Sequence, residues 1–293
     1  MIIIDNAKDM RAWSLAQRKR DRTIGCVPTM GALHEGHVSL IDASMEHCDT
    51  TALTIFVNPA QFAPHEDFDQ YPRTFESDCA IALEKKVDVV YAPKASGMYP
   101  ENYATYIEVE RLQEGLCGGT RPHFFRGVAT VVAKLFNAVT PDKAFFGMKD
   151  GQQITIIKRM VRDLDFGVEI VGLPTIREED GLAMSSRNQY LSSEDRKRAL
   201  SISRALFNAH DAMAQGETDA AHILQQVRDE LDSIEVDYIS LVDGSELTVV
   251  DRIDGPIMLA VAATVGTTRL IDNIRFEPST ITHTVPSAAE AKV

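Results

Sequence analysis

Strand-length apolar runs alternate with helical patterns along the first 175 residues of this 293-residue chain, and that rhythm limits its fold more than any other feature. Ile2–Ile4, Thr23–Val27, Ala52–Val57, Val87–Tyr91, Lys143–Phe146 and Val168–Leu173 read as short buried strands. Between them, Ala7–Arg20, His37–Cys48, Thr74–Lys85, Gly127–Val139 and Gln152–Leu164 carry apolar residues at helical spacing. Asp5 or Asn6 can cap the first of these helices, and Pro141 stops the fourth. Alternation of this kind requires each helix to cross a sheet face before the next strand. The sheet is then parallel, with helices on both faces. The expectation is an α/β protein whose residues 1–175 form a Rossmann-like, doubly wound parallel-sheet domain.

The pattern changes after Pro174. A polar loop, Arg177 to Asn188, leads into a long helix from Ser192 to about Gln215, with Ser192 or Ser193 as its cap, and a second helix over Ala220–Leu231. Strand-like Val236–Val242, Leu247–Val250, Ile257–Ala263 and Thr268–Ile274 follow, which gives a smaller α+β lid domain over residues 176–277. Gly172 to Ile176 is the expected hinge. Residues 278–293 have few large apolar side chains and are expected to be a disordered tail.

In doubly wound sheets, ligands bind beyond the carboxyl ends of the strands, where the strand order reverses. The segments 28–37, 58–62 and 147–153 each follow an expected strand, and they hold the chain's most polar motifs. In Met30-Gly31-Ala32-Leu33-His34-Glu35-Gly36-His37, two histidines share one face of a first helical turn. A helix N-terminus attracts phosphate, imidazoles there can donate to phosphate oxygens, and Gly31 and Gly36 leave room for close backbone approach. Two other readings compete. The spacing is i, i+3 rather than the i, i+4 of a zinc helix, and nothing completes a metal site. The histidines could instead cap a turn. Far along the chain, Met184-Ser185-Ser186-Arg187 offers two hydroxyls and a guanidinium able to hold two phosphate oxygens, although a Ser-rich stretch can also be a plain linker.

A formal net charge of −13 argues against a broad nucleic-acid footprint, which needs clustered Lys and Arg. The 4 cysteines lack metal or disulfide spacing, the natural reading being reduced thiols in a cytoplasm. Nothing approaches a membrane span. The expected partners are therefore small molecules, with neither nucleic acid nor membrane.

Five segments occur in order: Val27–His37, Phe56-Val57-Asn58-Pro59-Ala60-Gln61-Phe62, Tyr71-Pro72-Arg73-Thr74, Phe146-Gly147-Met148-Lys149-Asp150-Gly151-Gln152-Gln153 and Gly181–Asn188. The histidine pair plus Met-Ser-Ser-Arg resembles the two signatures of the adenylate-forming nucleotidyltransferases. The full series resembles the pantoate–β-alanine ligases, from the N-terminus to about Glu277.

That resemblance implies ATP-dependent joining of (R)-pantoate to β-alanine through a pantoyl adenylate, with Mg²⁺ accompanying ATP. It makes His34 and His37 phosphate ligands, with His37 the proton donor of the first step. It places Lys149 on the α- and β-phosphates and lets Asp150 orient the ribose or a Mg²⁺-bound water; no metal ligand set is otherwise fixed by the protein. Met30, Gly31, Gly36 and Gly147 fall in the ATP-binding motifs. The Ser185-Ser186-Arg187 loop closes over the triphosphate, with Met184 and Ile176 near the adenine. Gln61 and Gln153 contact pantoate, Gln61 also lies near β-alanine, and Asn58 and Tyr71 complete that end. Arg121 and Arg126, flanking His123-Phe124-Phe125, are candidates for added positive potential. A homodimer through the first domain is also implied. Two positions depart from the family: Met148, where an acidic residue is common, and Gly151, where an aromatic is usual. The rival within the superfamily, a nucleotidylyltransferase with a phosphate acceptor, calls for Arg or Lys where this chain has Gln61 and Gln153. A nucleotide-binding scaffold without turnover is the rival from another class.

Overall fold

The computed structural model describes residues 1–64 and 66–278. The expected tail lies outside the described residues, apart from Pro278. The strands of the first half are β1 (Ile2–Ile4), β2 (Ile24–Thr29), β3 (Thr50–Ile55), β4 (Val89–Tyr91), β5 (Lys143–Gly147) and β6 (Glu169–Leu173). They form one sheet in the order β1-β4-β3-β2-β5-β6, every pair parallel. The helices between them are α1 (Ala7–Arg18), α2 (Glu35–His47), α3 (Phe75–Glu84), the short α4 (Ala95–Met98) and α5 (Cys117–Thr120), α6 (Phe124–Val139) and α7 (Gly151–Asp163).

Side chains alternate across the sheet, as the pleat requires. Ile24, Cys26, Ala52, Val89, Tyr91, Ala144 and Phe146 join Met10 of α1 and the apolar faces of α6 and α7 in one core. Val27, Leu53, Val90 and Phe145 join Leu40 and Ile41 of α2 and Ala82 of α3 in another. Such burial on both faces explains why these strands read as continuous apolar runs. Asn6 caps α1 by accepting from the Asp9 N–H at 3.0 Å. At the end of α6, Thr140 turns left-handed at φ 45° ahead of Pro141.

From β2 the chain winds outward through β3 to β4; from β5 it winds the other way to β6. The reversal falls between β2 and β5, so the segments that follow these two strands face each other across the switch-point crevice.

The second half holds α8 (Ser193–Ala214), α9 (Ala220–Glu230) and an antiparallel sheet of β7 (Glu235–Asp243), β8 (Ile257–Val265) and β9 (Thr268–Phe276) in the order β7-β8-β9. Ser192 caps α8 through the Asp195 N–H at 3.1 Å. Leu259, Val261 and Ala263 of β8 pack on Ile202, Leu206 and Ile223 of the helices. Met258 and Ala260 alternate to the opposite face, where they meet Val242 and Leu116. The sheet is thus sandwiched between its own helices and the first half. Two expectations change. Leu247–Val250 is not a strand: Leu247 is left-handed at φ 56°, and only one bridge, Val249 to Val242, forms there. Gly172 belongs to β6, paired with Phe146, rather than to a hinge. A Cβ on it would stand 2.7 Å from Ile154 Cδ1, so glycine serves close packing there.

Candidate active site

A cavity of about 820 Å³ opens at the switch point and is walled by both halves of the chain. Its first wall follows β2. After Met30, Gly31 turns left-handed at φ 83° and Ala32 at φ 51°. This strained turn is held from below by Asp78 of α3, a buried carboxylate accepting the N–H groups of Ala32 at 3.0 Å and Leu33 at 2.9 Å and the Thr74 hydroxyl at 3.2 Å. A Cβ on Gly31 would stand 2.8 Å from Asp78 Oδ2. Gly31 thus serves packing and the turn, next to Met30 of the cavity wall.

His34 is the N-cap of α2. Its Nδ1 accepts the Gly36 N–H at 3.2 Å, and His37 Nδ1 accepts the His34 N–H at 3.3 Å. Both histidines thus do cap the turn, and the first N–H groups of α2 are largely spoken for. A backbone N–H can only donate, so each Nδ1 is bare and each ring proton sits on Nε2. Burial pushes the His34 pKa down to about 4, Lys149 adding to the effect and Asp150 and Glu178 opposing it. Burial, His34 and Lys149 together push His37 down to about 3. At neutral pH both are uncharged donors with ring centroids 4.1 Å apart.

The second wall follows β3. Asn58 is fully buried, and fixed-polarity neighbours dictate its orientation: Oδ1 accepts from the Ala60 N–H, while Nδ2 donates to the Gly127 carbonyl at 3.1 Å. The second Nδ2 hydrogen meets Gln61 Oε1 at 3.0 Å, which turns Gln61 Nε2 toward Met30 at the cavity wall. Tyr99 donates to the same Asn58 Oδ1 at 2.7 Å. Every polar atom of Asn58 is engaged, so it orients Gln61. Gly127 permits this arrangement, since a Cβ there would lie 2.3 Å from the Ala60 carbonyl oxygen.

The third wall follows β5. Gly147 leads into a 3₁₀ turn, Met148–Asp150, that places Lys149 and Asp150 in the cavity, and α7 adds Gln153. Its neighbour Gln152 is fully engaged, accepting from the Cys117 N–H and donating to the carbonyls of Leu112 and Gly115.

The fourth wall comes from the second half. Ile176 and Met184 pair at the base of a hairpin that turns at Gly181, φ 93°. Arg177 anchors it to buried Asp272 of β9 at 2.7 Å. Met184 Sδ reaches the Gly36 N–H at 3.3 Å. Ser185 caps a short 3₁₀ helix, Ser186–Tyr190, and Ser186 Oγ lies 3.4 Å from the hydroxyl of buried Tyr71. Arg187 grips Asp67 at two points, 2.8 and 2.9 Å. Arg121 grips the adjacent Glu66 likewise, at 2.5 Å to each oxygen, and lies over Phe124. Arg126 pairs with Glu108 at 3.1 Å, stacks on Tyr106 and does not line the cavity. Among the described residues, Arg121, Arg187 and Arg269 of the cavity wall are each paired with a carboxylate, and Lys149 is not.

Asp78, Asp67, Glu66 and Asn273 matter here, although local sequence does not single them out. Asp78 reads as an ordinary acid in a first helical turn, and Asp67 lies in a polar loop far from its partner. Among the described residues, no group of three or more His, Cys, Asp or Glu could by itself hold a metal ion, and no helix is long and apolar enough to cross a membrane.

The profile of the family described as pantoate-beta-alanine ligase matches residues 2–275. A protein named pantothenate synthetase from Acetivibrio thermocellus is 49% identical over 281 residues, 94% of this chain and 100% of that one. The crystal structure of a pantothenate synthetase from Thermus thermophilus superposes with a TM-score of 0.88 at 41% identity, covering 94% of this chain and 99% of the other. A structure from Francisella tularensis, described as a pantoate-beta-alanine ligase complexed with beta-gamma ATP and beta-alanine, gives a TM-score of 0.78 at 33% identity, over 95% and 100% of the two chains.

Proposed function

This chain belongs to the pantoate–β-alanine ligase family and forms pantothenate from pantoate and β-alanine at the expense of ATP, and we propose that the switch-point cavity performs both steps. The observation that supports this reading is the composition of the four walls. Neutral imidazole donors, one lysine and a Ser-Ser-Arg segment face a pair of glutamine amides across a single crevice.

In the first step, a pantoate carboxylate oxygen attacks the α-phosphorus and pyrophosphate leaves. Gln61, locked with its NH₂ toward the cavity, and Gln153 hold pantoate by its hydroxyls and carboxylate. Amides do this without the desolvation penalty of a buried charge. Such a site rejects analogues that lack those hydroxyls. Lys149 faces the growing charge on the phosphates. His34 and His37 donate their Nε2 protons as hydrogen bonds and keep them, since a group with a pKa of about 3 or 4 is already deprotonated at pH 7. This replaces the expected role of His37 as proton donor. The catalytic contribution is then electrostatic and positional, which carries more of a barrier than a single general acid, worth about 10²–10⁴-fold. Ser185, Ser186 and Arg187 take the triphosphate once Arg187 leaves Asp67. Asp150, beside Lys149, would hold a Mg²⁺ carried by ATP or a water on that ion, and the ion would offset leaving-group charge. In the second step the β-alanine amine attacks the mixed anhydride and AMP departs. Met30, Gly36, Gly147, Ile176 and Met184 line the nucleotide end, and Tyr71 belongs to the pantoate and β-alanine end. Residues 1–175 and 176–277 act as a catalytic domain and a lid, in a cytoplasmic homodimer.

The test is exchange of labelled pyrophosphate into ATP with Mg²⁺ and (R)-pantoate present and β-alanine absent. Exchange that depends on pantoate is expected. Its absence in folded, ATP-binding protein would remove the acyl-adenylate step.

A further inference from the structure

One strand of the second sheet touches both phosphate-facing segments. Successive residues of a strand point to opposite faces, and on β9 Asp272 and Asn273 are both buried. Asp272 faces the hairpin: its carboxylate binds Arg177 at 2.7 and 3.2 Å, and Arg177 in turn holds the Gly181 carbonyl at the hairpin tip. Asn273 faces the other way, donating both Nδ2 hydrogens, to the Met148 carbonyl at 3.0 Å and the Lys149 carbonyl at 2.7 Å. Two acceptors of fixed polarity leave its amide one orientation. Neighbours on that face repeat the pattern, since Arg275 donates to Thr155 Oγ1 of α7 at 3.1 Å. Gly151 admits the contact: a Cβ on it would lie 2.4 Å from Met258 Sδ and 3.0 Å from Asn273 Oδ1.

We propose that Asp272 and Asn273 are positioning residues that set the spacing between the Lys149 turn and the Met184–Arg187 segment, so that one strand of the lid aligns both halves of the phosphate site for adenylation. This rests on the adenylation reading above. Neither residue reaches the reacting atoms; each acts through a backbone turn. Displacing a catalytic group by about 1 Å can lower a rate by about 10²-fold. Of the two pantoate amides, Gln61 and its partner Asn58 hang from β3 and do not depend on β9, whereas Gln153 opens α7 just after the Lys149 turn.

The two half-reactions separate this role from a structural one. Pantoate-dependent pyrophosphate exchange reads the first, and conversion of supplied pantoyl adenylate with β-alanine reads the second. Asn273→Ala is expected to lose about 10²-fold in kcat for exchange while the second half-reaction stays within about two-fold. Asn273→Asp, which sets a carboxylate against two carbonyls, is expected to lose more; should it fail to fold, Asn273→Ala and Asn273→Ser, the latter retaining one donor, decide. Asp272→Asn loosens the hairpin and is expected to raise KM for ATP more than it lowers kcat. Equal loss of both half-reactions, or unchanged exchange in Asn273→Ala, would overturn the proposal. An unchanged KM for ATP in Asp272→Asn would overturn its hairpin half. If the unaltered protein itself shows no pantoate-dependent exchange, the adenylation reading fails instead.

Discussion

The two segments that bear on phosphate are built in opposite ways. The His34–His37 turn is finished before any ligand arrives: its N–H groups are capped, its imidazoles are neutral, and Asp78 holds its backbone from below. The Ser185–Arg187 segment is committed elsewhere, its guanidinium clasped by Asp67 across the mouth of the cavity. One side offers fixed dipoles; the other offers a charge with a stand-in anion already in place. Fixed dipoles act on the transition state without reorganising, whereas a charge that must change partners tightens the site only as ATP binds.

Lys149 stands between the two regions and neither can replace it. Lys149→Ala is expected to reduce adenylation by about 10²–10³-fold in pyrophosphate exchange, with the circular dichroism spectrum unchanged. A loss under about ten-fold would mean that the arginines carry the charge. On the preformed side, His37→Ala is expected to lose about 10²-fold and His37→Asn less, because an amide also donates while neutral. Asn no better than Ala would restore the case for acid catalysis. On the exchanging side, Asp67→Asn releases Arg187 and is expected to lower KM for ATP by about three- to ten-fold, measured at low salt where surface charge acts most strongly. A raised KM would mean that Asp67 organises the loop instead of competing with phosphate.

A separate effect concerns stability. Both histidines titrate in the unfolded chain near 6.5 but in the fold only near 4 and 3. Between those limits the unfolded state binds more protons, so stability falls as pH drops from 6.5 toward 3, and no further loss from these groups follows below that. The urea midpoint should therefore decline across this window, and less steeply in His37→Asn.

The fold was largely legible because a parallel sheet buried on both faces writes itself as apolar runs, as in Cys26-Val27 and Phe145-Phe146. Leu247–Val250 misled for the same reason: an apolar run of strand length says nothing of the left-handed backbone at Leu247. Within the site, His34, Lys149 and Gln61 were legible as residue types placed after strands, and Arg187 as a guanidinium beside two hydroxyls in a polar loop. What holds them was not. Asp67 reaches Arg187 and Asn273 reaches the Lys149 carbonyl only through tertiary packing, and nothing local to either residue announces it. The capping role of the histidines lay in the sequence as an alternative, since capping and phosphate contact use different ring nitrogens and are compatible.

The most direct measurement is the ¹⁵N chemical shift of the His34 and His37 ring nitrogens in the ligand-free protein as pH is lowered from 8 to about 5.5. The expected result is two neutral rings protonated at Nε2, with no titration near 6.5. Either ring charging near its ordinary pKa, or carrying its proton on Nδ1, would contradict a preformed turn of neutral donors.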